Sequence, residues 1–286
     1  MKNSAFCGII CYRWALAQPK QPCGREFHAV FVFMQRKALS MENQEFLDRA
    51  SSLKKEKQSL LNDTFLWVNL AREAVQNLPD TKFAFEVPKA GKPNQTRTVQ
   101  RNHALEVKNR MLAKDIFNSA FISMVAAIED YLSKIMISIL VHDNRRIMCT
   151  VTGVSFNKDV SVIDLITKDR SDLINQIIQE RVNTLFYASP QKQLEYFDKA
   201  LGIKVEDDIW GKWIEIKARR DLWVHNAGVA NQIYLEKAKE HSLVPLCQEA
   251  LINQKYFSDS VAIMKTLVGR IDRDIRKTYK NNESME

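Results

Sequence analysis

The stretch IFNSAFISMVAAIEDYLSKIMISILV, residues 116–141, is the most apolar helical segment of the chain and decides the fold class. Its apolar side chains recur at threes and fours, which predicts a helix that is buried over a broad stripe. The charges of Glu129, Asp130 and Lys134 interrupt it, so it is typical of a core helix rather than a membrane span. We therefore predict the central helix of a helical domain, extending over about 103–141, with Glu129 or Asp130 facing a polar cleft or simply solvent.

Helical periodicity continues on both sides of this segment. It predicts helices at 42–78, 171–185, 190–201, 206–225 and 256–279. Residues 147–154 alternate in the manner of a strand and are ambiguous, and the prolines and glycine of 79–101 predict a loop. Because no strand–helix alternation and no Gly-rich phosphate loop occur, the predicted fold class is all-α, a helical bundle with an additional N-terminal helical arm.

Composition is ordinary for a globular protein. Of 286 residues, 45% are hydrophobic and 27% are charged, and the 8 glycines and 7 prolines exclude collagen-like and low-complexity classes. The net charge of +8 is unevenly distributed. Residues 1–40 carry six basic side chains and one acid, a net +5, which leaves only +3 for the other 246 residues. Bulk charge therefore does not by itself indicate a nucleic-acid partner.

Residues 1–40 differ from the rest in composition. The apolar run Ala5–Tyr12 loosely resembles a secretory signal, but it is short and Arg13 stands where it should continue. We interpret 1–40 as a leader that is disordered or lies upstream of the true translation start near Met34 or Met41. The body then contains two cysteines, Cys149 and Cys247, which is compatible with a reducing cytoplasm.

Residues 41–104 are interpreted as an N-terminal helix followed by a basic loop. Within 87–101 there is no acid, and Lys89, Lys92, Arg97 and Arg101 are candidate RNA contacts because cations neutralise phosphates. The alternative for such a charged run is a solvated loop without a ligand. Residues 105–286 are assigned to the main helical domain.

The richest motif is ARRDLWVHNAG, residues 218–228, in which Arg220 and His225 form the spacing R-x4-H. Histidine titrates near neutrality and can move the proton of a ribose 2′-hydroxyl or of the leaving oxygen. An arginine fork stabilises charge that develops on a phosphate. Two structural alternatives stand beside this interpretation: Arg220 pairs with a buried acid such as Glu129, and His225 merely caps its helix.

Helix geometry constrains this motif. Residues five apart lie about 140° apart on a helix, so Arg220 and His225 do not share a face. Either the helix distorts near Asn226, or two protomers face each other across a twofold axis and each contributes its Arg220 and His225 to a shared site. Asp221, four residues before His225, shares its face and is expected to accept a hydrogen bond from the imidazole. Asn226 is expected to supply a further donor for a phosphate.

The segment RRDLWVHNAGVANQIYL, residues 219–235, resembles the signature of the HEPN superfamily, in its stand-alone RiboL-PSP-like branch. The segment FISMVAAIEDYLSKIM, 121–136, is similar to the family's first core helix, and 171–203 and 255–271 are similar to two further helices. The resemblance covers about 105–279. Asp221 stands where asparagine is more frequent.

This resemblance implies a metal-independent endoribonuclease that acts as a homodimer without a cofactor. It implies catalytic roles for Arg220 and His225 and supporting roles for Asp221, Asn226 and Arg219. It also implies a cytoplasmic role in phage defence or as a toxin, with an antitoxin or another defence-system protein as partner. The alternative is a non-catalytic HEPN module that binds a nucleotide or a partner protein. No metal-ligand spacing is recognisable in the sequence.

Overall fold

The computed structural model describes residues 24–79, 83–157 and 159–280, and most of them are helical. The chain divides into two compact units, residues 1–45 and 46–286, and the second contains the core and the motif helix. The described residues form nine α-helices and one β-hairpin. In chain order they are α1 Gly24–Gln76, β1 Phe83–Lys89, β2 Lys92–Val99, α2 Arg101–Arg110, α3 Ile116–His142, α4 Val162–Thr167, α5 Arg170–Tyr187, α6 Pro190–Lys199, α7 Asp207–His225, α8 Gln232–Ala238 and α9 Gln254–Lys280.

Helix α3 is the centre of the second unit, as its sequence predicts. A π-helical segment, Met111–Asp115, joins α2 to α3, so the predicted helix over 103–141 is one helical segment with a local widening. More than half of the 27 residues of α3 are buried, and it packs against α5, α7 and α9. This burial explains why apolar residues occupy several sides of the helix rather than one narrow stripe.

Helix α1 contributes to the same core beyond residue 45. Phe46, Leu61 and Val68 are buried in the hydrophobic cluster that contains α3 and α9. Lys54 Nζ of α1 lies 2.9 Å from the buried Asp272 carboxylate of α9. Helix α1 begins at Gly24, so residues 24–40, the second part of the predicted leader, are helical. The apolar run Ala5–Tyr12 and all three cysteines of residues 1–40 lie outside the described residues.

The prediction of a loop over 79–101 is wrong, because this segment forms an antiparallel hairpin of β1 and β2. Alternation in FAFEV and the β-branched residues of TRTV favour strands, and the turn Ala90-Gly91 joins them, with Gly91 at a φ of 65°. Pro88, which suggested a loop, lies where the pairing register shifts between Val87 and Lys89. Proline is tolerated there because a bulge needs no ladder hydrogen bond from it.

The predicted start of α1 at residue 42 is wrong, because the helix begins at Gly24. The other helix boundaries agree with the prediction to within a few residues, but two short helices, α4 and α8, are not predicted. The ambiguous segment 147–154 contains no strand, and its start belongs to the 3₁₀ turn Asn144–Met148. Helix α5 begins at Arg170, one residue before the predicted start, and its N-cap is Asp169. None of the helices in the described parts of the chain has the length and apolarity required to cross a bilayer.

Candidate functional site

The motif helix α7 is positioned by large side chains on its buried face. Trp210 and Trp213 are each 1% exposed, and the Trp210 indole donates a hydrogen bond to the Pro190 carbonyl at 3.0 Å. These contacts fix the rotation of α7 about its axis, because a packed core accepts few alternative arrangements. The same rotation determines which motif residues point inward and which reach solvent.

The motif helix ends without distortion at His225. The next residues reverse the chain: Ala227 and Gly228 have φ values of 49° and 78°, and the Gly228 amide donates to the Leu222 carbonyl at 3.0 Å. A Cβ on Gly228 would lie 2.6 Å from the Trp223 ring. Glycine is therefore required both for the left-handed backbone and for the close approach to Trp223. The distortion that would bring Arg220 and His225 together does not occur within α7.

His225 lies at a cleft between α7 and α8. The cleft has a volume of about 340 Å³, and nine residues line it. The His225 side chain is exposed and makes no hydrogen bond to any part of the chain that the structure describes. The lining residues are Ala218, Asp221, Leu222, His225, Asn226, Asn231, Ile233, Tyr234 and Lys237.

Asp221 lines the same cleft, but its carboxylate faces two cations. The Lys237 Nζ lies 3.1 Å from Asp221 Oδ2, and the Arg220 Nε lies 3.2 Å from Asp221 Oδ1. The hydrogen bond expected from His225 to Asp221 is not formed. Although the two residues share a helix face, the carboxylate is drawn toward the positive charges.

Arg220 is turned away from the cleft. Its Nη2 lies 2.5 Å from Glu129 Oε2, and the other carboxylate oxygen of Glu129 lies 2.8 Å from Lys217 Nζ. The Arg220 and Glu129 side chains are 19% and 20% exposed, so the pair is largely removed from water. The sequence left open that Arg220 pairs with a buried acid such as Glu129, and the structure contains this pair. It joins α7 to the central helix α3.

The neighbouring acid of α3, Asp130, does not take part in this cluster. It lies 2.9 Å from Lys57 and 2.9 Å from Lys134. Burial opposes ionisation of Asp130, but the hydrogen bonds and charges of these lysines outweigh it and lower its pKa. Of the two candidate acids, Glu129 therefore contacts the motif helix and Asp130 joins α3 to α1.

Arg219, a predicted supporting residue, is part of a buried network and not of the cleft. Its Nη2 lies 2.7 Å from Glu215 Oε1, and its guanidinium lies 3.8 Å from the centre of the Tyr256 ring. Tyr234 and Tyr256 donate hydrogen bonds to the Glu215 carboxylate at 2.8 and 2.6 Å. Burial, followed by the Glu215 charge, raises the pKa of the Tyr234 hydroxyl. The network ties α7 to α8 and α9.

Asn226 lines the cleft, but its side-chain amide donates to the Val229 carbonyl at 2.6 Å. This bond stabilises the chain reversal after α7, where asparagine is a common residue. The amide has a second N–H, so the donor expected for a phosphate stays a prediction.

The predicted RNA contacts lie on or beside the hairpin and do not line the cleft. Arg97 in β2 and Arg101 at the start of α2 are exposed. The pairing register places Lys89 opposite Lys92 at the two sides of the turn. Gln95, Thr96, Arg97 and Thr98 are all exposed, so this part of β2 is covered on neither face.

The residue that the sequence analysis missed is Lys237, on α8. Its ammonium group is the cation that lines the cleft together with His225. The sequence does indicate the helix α8 that carries Lys237, because Asn231 precedes an apolar run and is typical of a helix N-cap. Its side chain does accept a hydrogen bond from the Tyr234 amide at 2.9 Å.

Within the described ranges, no group of three or more His, Cys, Asp or Glu side chains is arranged to hold a metal ion. Comparison with known proteins gave no match to this chain among family models, curated proteins or solved structures.

Proposed function

We propose that this protein is a metal-independent endoribonuclease of the HEPN type, which acts in the cytoplasm in phage defence or as a toxin. The observation that carries the proposal is the exposed, unbonded His225 at a cleft that also presents the Lys237 ammonium group. An imidazole that shares a cleft with a cation is suited to acid–base chemistry on a phosphodiester, because the cation stabilises charge on phosphate oxygens.

In the proposed reaction the ribose 2′-oxygen attacks the adjacent phosphorus and the bond to the 5′-oxygen breaks. His225 accepts the proton of the 2′-hydroxyl and then donates it to the leaving 5′-oxygen, so no other proton carrier is needed. The products are a 2′,3′-cyclic phosphate and a free 5′-hydroxyl, so atoms balance without a water or a metal. Lys237 binds the phosphate on the open side of the cleft, and Asp221 holds the ammonium group in place at 3.1 Å.

Within a single protomer, Arg220 positions the motif helix and does not have the catalytic role that its motif implies. Paired with Glu129, it fixes the height and rotation of α7 and so positions His225. A homodimer in which two motif helices face each other remains part of the proposal, and in it Arg220 of one protomer serves the site of the other.

The experiment is cleavage of a mixed RNA pool in EDTA by the wild type and by His225→Ala, Lys237→Ala and Arg220→Ala. We expect His225→Ala to lower the rate by about a hundredfold or more, the usual loss for a proton-transfer group. End analysis should find 2′,3′-cyclic phosphates. His103→Ala is the matched control, because His103 is also exposed but lies on α2. If His225→Ala and Arg220→Ala both cut as fast as the wild type, the assignment is wrong.

A second candidate is a non-catalytic HEPN module that binds a partner protein, such as an antitoxin, or a nucleotide. The Arg220–Glu129 contact favours it, because an arginine engaged at 2.5 Å is not free to bind a phosphate. Intact RNA after long incubation, together with lower stability of Arg220→Ala, would favour this candidate over the enzyme.

A further inference from the structure

A second pocket, of about 160 Å³, continues the His225 cleft along α7. Lys237 lines both, so the two are joined at its side chain. Seven of the α7 residues that line them lie within an arc of about 100° on an ideal helix. They are Asp207, Gly211, Ile214, Ala218, Asp221, Leu222 and His225. With a rise of about 1.5 Å per residue this face is about 27 Å long, and we call the pocket and the cleft together the α7 groove.

One wall of the second pocket depends on a glycine in the interior of α7. A Cβ on Gly211 would collide with the His241 ring, which lies directly against the helix there. Glycine weakens the interior of a helix relative to alanine, so Gly211 lowers the stability of α7. In return, the His241 side chain reaches the pocket, where it is 23% exposed.

The 3₁₀ turn Lys239–His241, which follows α8, begins with a strained residue. Lys239 has a φ of 48° and a ψ of −125°, the angles of the first central position of a type II′ turn, where glycine is preferred. Its ammonium group forms neither an ion pair nor a hydrogen bond within the part of the chain that the structure describes. Strained backbone concentrates at ligand sites. Lys239 and Gly211 both lower stability, and both place a basic residue at one pocket, which indicates an anionic ligand.

The lining of the pocket is mixed. Its basic residues are Lys237, Lys239 and His241, its acids are Asp207 and Glu240, and its apolar residues include Leu194 and Ile214. Both acids are exposed, so water screens the charge of their carboxylates. A free cation beside apolar surface suits a nucleotide, because the phosphate is anionic and the base can stack on apolar side chains.

We propose that the α7 groove binds a single strand of RNA and that its second pocket holds a nucleotide that flanks the cleaved phosphodiester. The Lys239 ammonium group binds the phosphate of that nucleotide, and its base lies on Leu194 and Ile214. The inference rests on the proposed ribonuclease function, because the strand is the substrate of the His225 cleft. Lys237, which lines both parts of the groove, lies between the two phosphates.

The first test measures binding without cleavage. The ligand is a fluorescent RNA of eight nucleotides with a 2′-O-methyl group on every ribose, so no 2′-oxygen can attack. We expect Lys239→Gln to weaken binding about fivefold in fluorescence anisotropy and to lower the slope of log affinity against log salt by about 0.7, the value for one phosphate contact on a single strand. The matched control is Lys212→Gln, because Lys212 is also exposed but lies on the other side of α7.

The second test separates binding from stability. Lys239→Gly removes the side chain and relieves the strained backbone, so the melting temperature should rise by about 2–4 °C while the affinity for RNA falls as it does in Lys239→Gln. A lysine that serves only the fold would give the reverse, a lower melting temperature and unchanged affinity. Circular dichroism verifies that each variant folds.

Several outcomes would overturn the proposal. If the wild type cuts RNA in EDTA but Lys239→Gln keeps its affinity and salt slope, the inference is wrong and the ribonuclease assignment stands. An equal loss in Lys212→Gln would assign binding to net charge. Displacement of the strand by adenosine monophosphate as readily as by unlabelled RNA would make a free nucleotide the ligand. A wild type that neither cuts RNA nor binds the methylated strand would refute both proposals.

Discussion

Two adjacent arginines in α7 have different partners because they lie on different sides of the helix. Arg219 is 3% exposed, and its neighbour Glu215 accepts hydrogen bonds from two tyrosines as well. Arg220 shares a partly exposed Glu129 with Lys217. Arg219 is the one cation that pairs with the buried Glu215 carboxylate in the described structure. Arg220, in contrast, is one of two cations that pair with Glu129.

We expect Arg219→Ala to lower the free energy of unfolding by about 3–5 kcal/mol, because it leaves Glu215 buried without a counter-charge. Arg220→Ala should cost only about 1 kcal/mol, because Lys217 still pairs with Glu129, whose side chain keeps 20% of its surface exposed. Urea denaturation followed by tryptophan fluorescence measures both values. Equal losses in the two variants would contradict this division between a structural and a positioning arginine.

At the scale of elements, the hairpin β1–β2 contrasts with the helices around it. Its strands pair with each other, and Gln95–Thr98 are exposed on both faces. An isolated two-stranded hairpin is marginally stable in water, so a ligand that binds it would also stabilise it. We propose RNA as that ligand, because the basic residues of the hairpin would neutralise phosphates.

Neutralising the hairpin with Lys89→Gln, Lys92→Gln and Arg97→Gln together should weaken RNA binding and reduce its dependence on salt. Each lost phosphate contact lowers the slope of log affinity against log salt by about 0.7–0.9, which gives a total near 2–3. Filter binding at several salt concentrations measures the slope. The control combines Lys199→Gln, Lys212→Gln and Lys255→Gln, which remove three exposed lysines on helices. An equal loss of RNA affinity in this control would mean that net charge, and not the hairpin, determines binding.

On the scale of the whole molecule, burial of tyrosine hydroxyls makes the free energy of unfolding decrease at alkaline pH. Burial raises the pKa of Tyr131, Tyr196 and Tyr234, and it raises the pKa of Tyr279 to about 12. Unfolded tyrosine titrates near pH 10. The stabilising contribution of each buried hydroxyl is therefore complete below about pH 10 and is lost as the pH rises toward the pKa of the folded state.

Tyr279→Phe should consequently lose less stability between about pH 9 and 11.5 than the wild type does, because one group no longer favours the unfolded chain on ionisation. Tyr187→Phe is the matched control, since Tyr187 is 94% exposed, and it should follow the wild type. Urea titrations at four pH values provide the comparison. A parallel decline in all three proteins would mean that other groups dominate alkaline unfolding.

The helical fold is determined largely by local sequence patterns. The apolar repeats of α3, α7 and α9 are set by neighbours three and four residues apart, so one sequence predicts them with nearly the observed bounds. The hairpin was missed because Pro88 indicates a loop unless a bulge accommodates it, and the bulge depends on the pairing of β1 with β2.

The motif residues were recognisable in the sequence, and the angular separation of Arg220 and His225 followed from helix geometry alone. Their partners were not predictable, because Glu129 is 91 residues from Arg220 and Lys237 is 16 residues from Asp221. The exposure of all four large apolar residues of α4 is also not predictable from its six residues. The sequence by itself determined which faces of the helices are apolar. Only tertiary packing decided which of those faces are covered, since burial depends on elements that are distant in the chain.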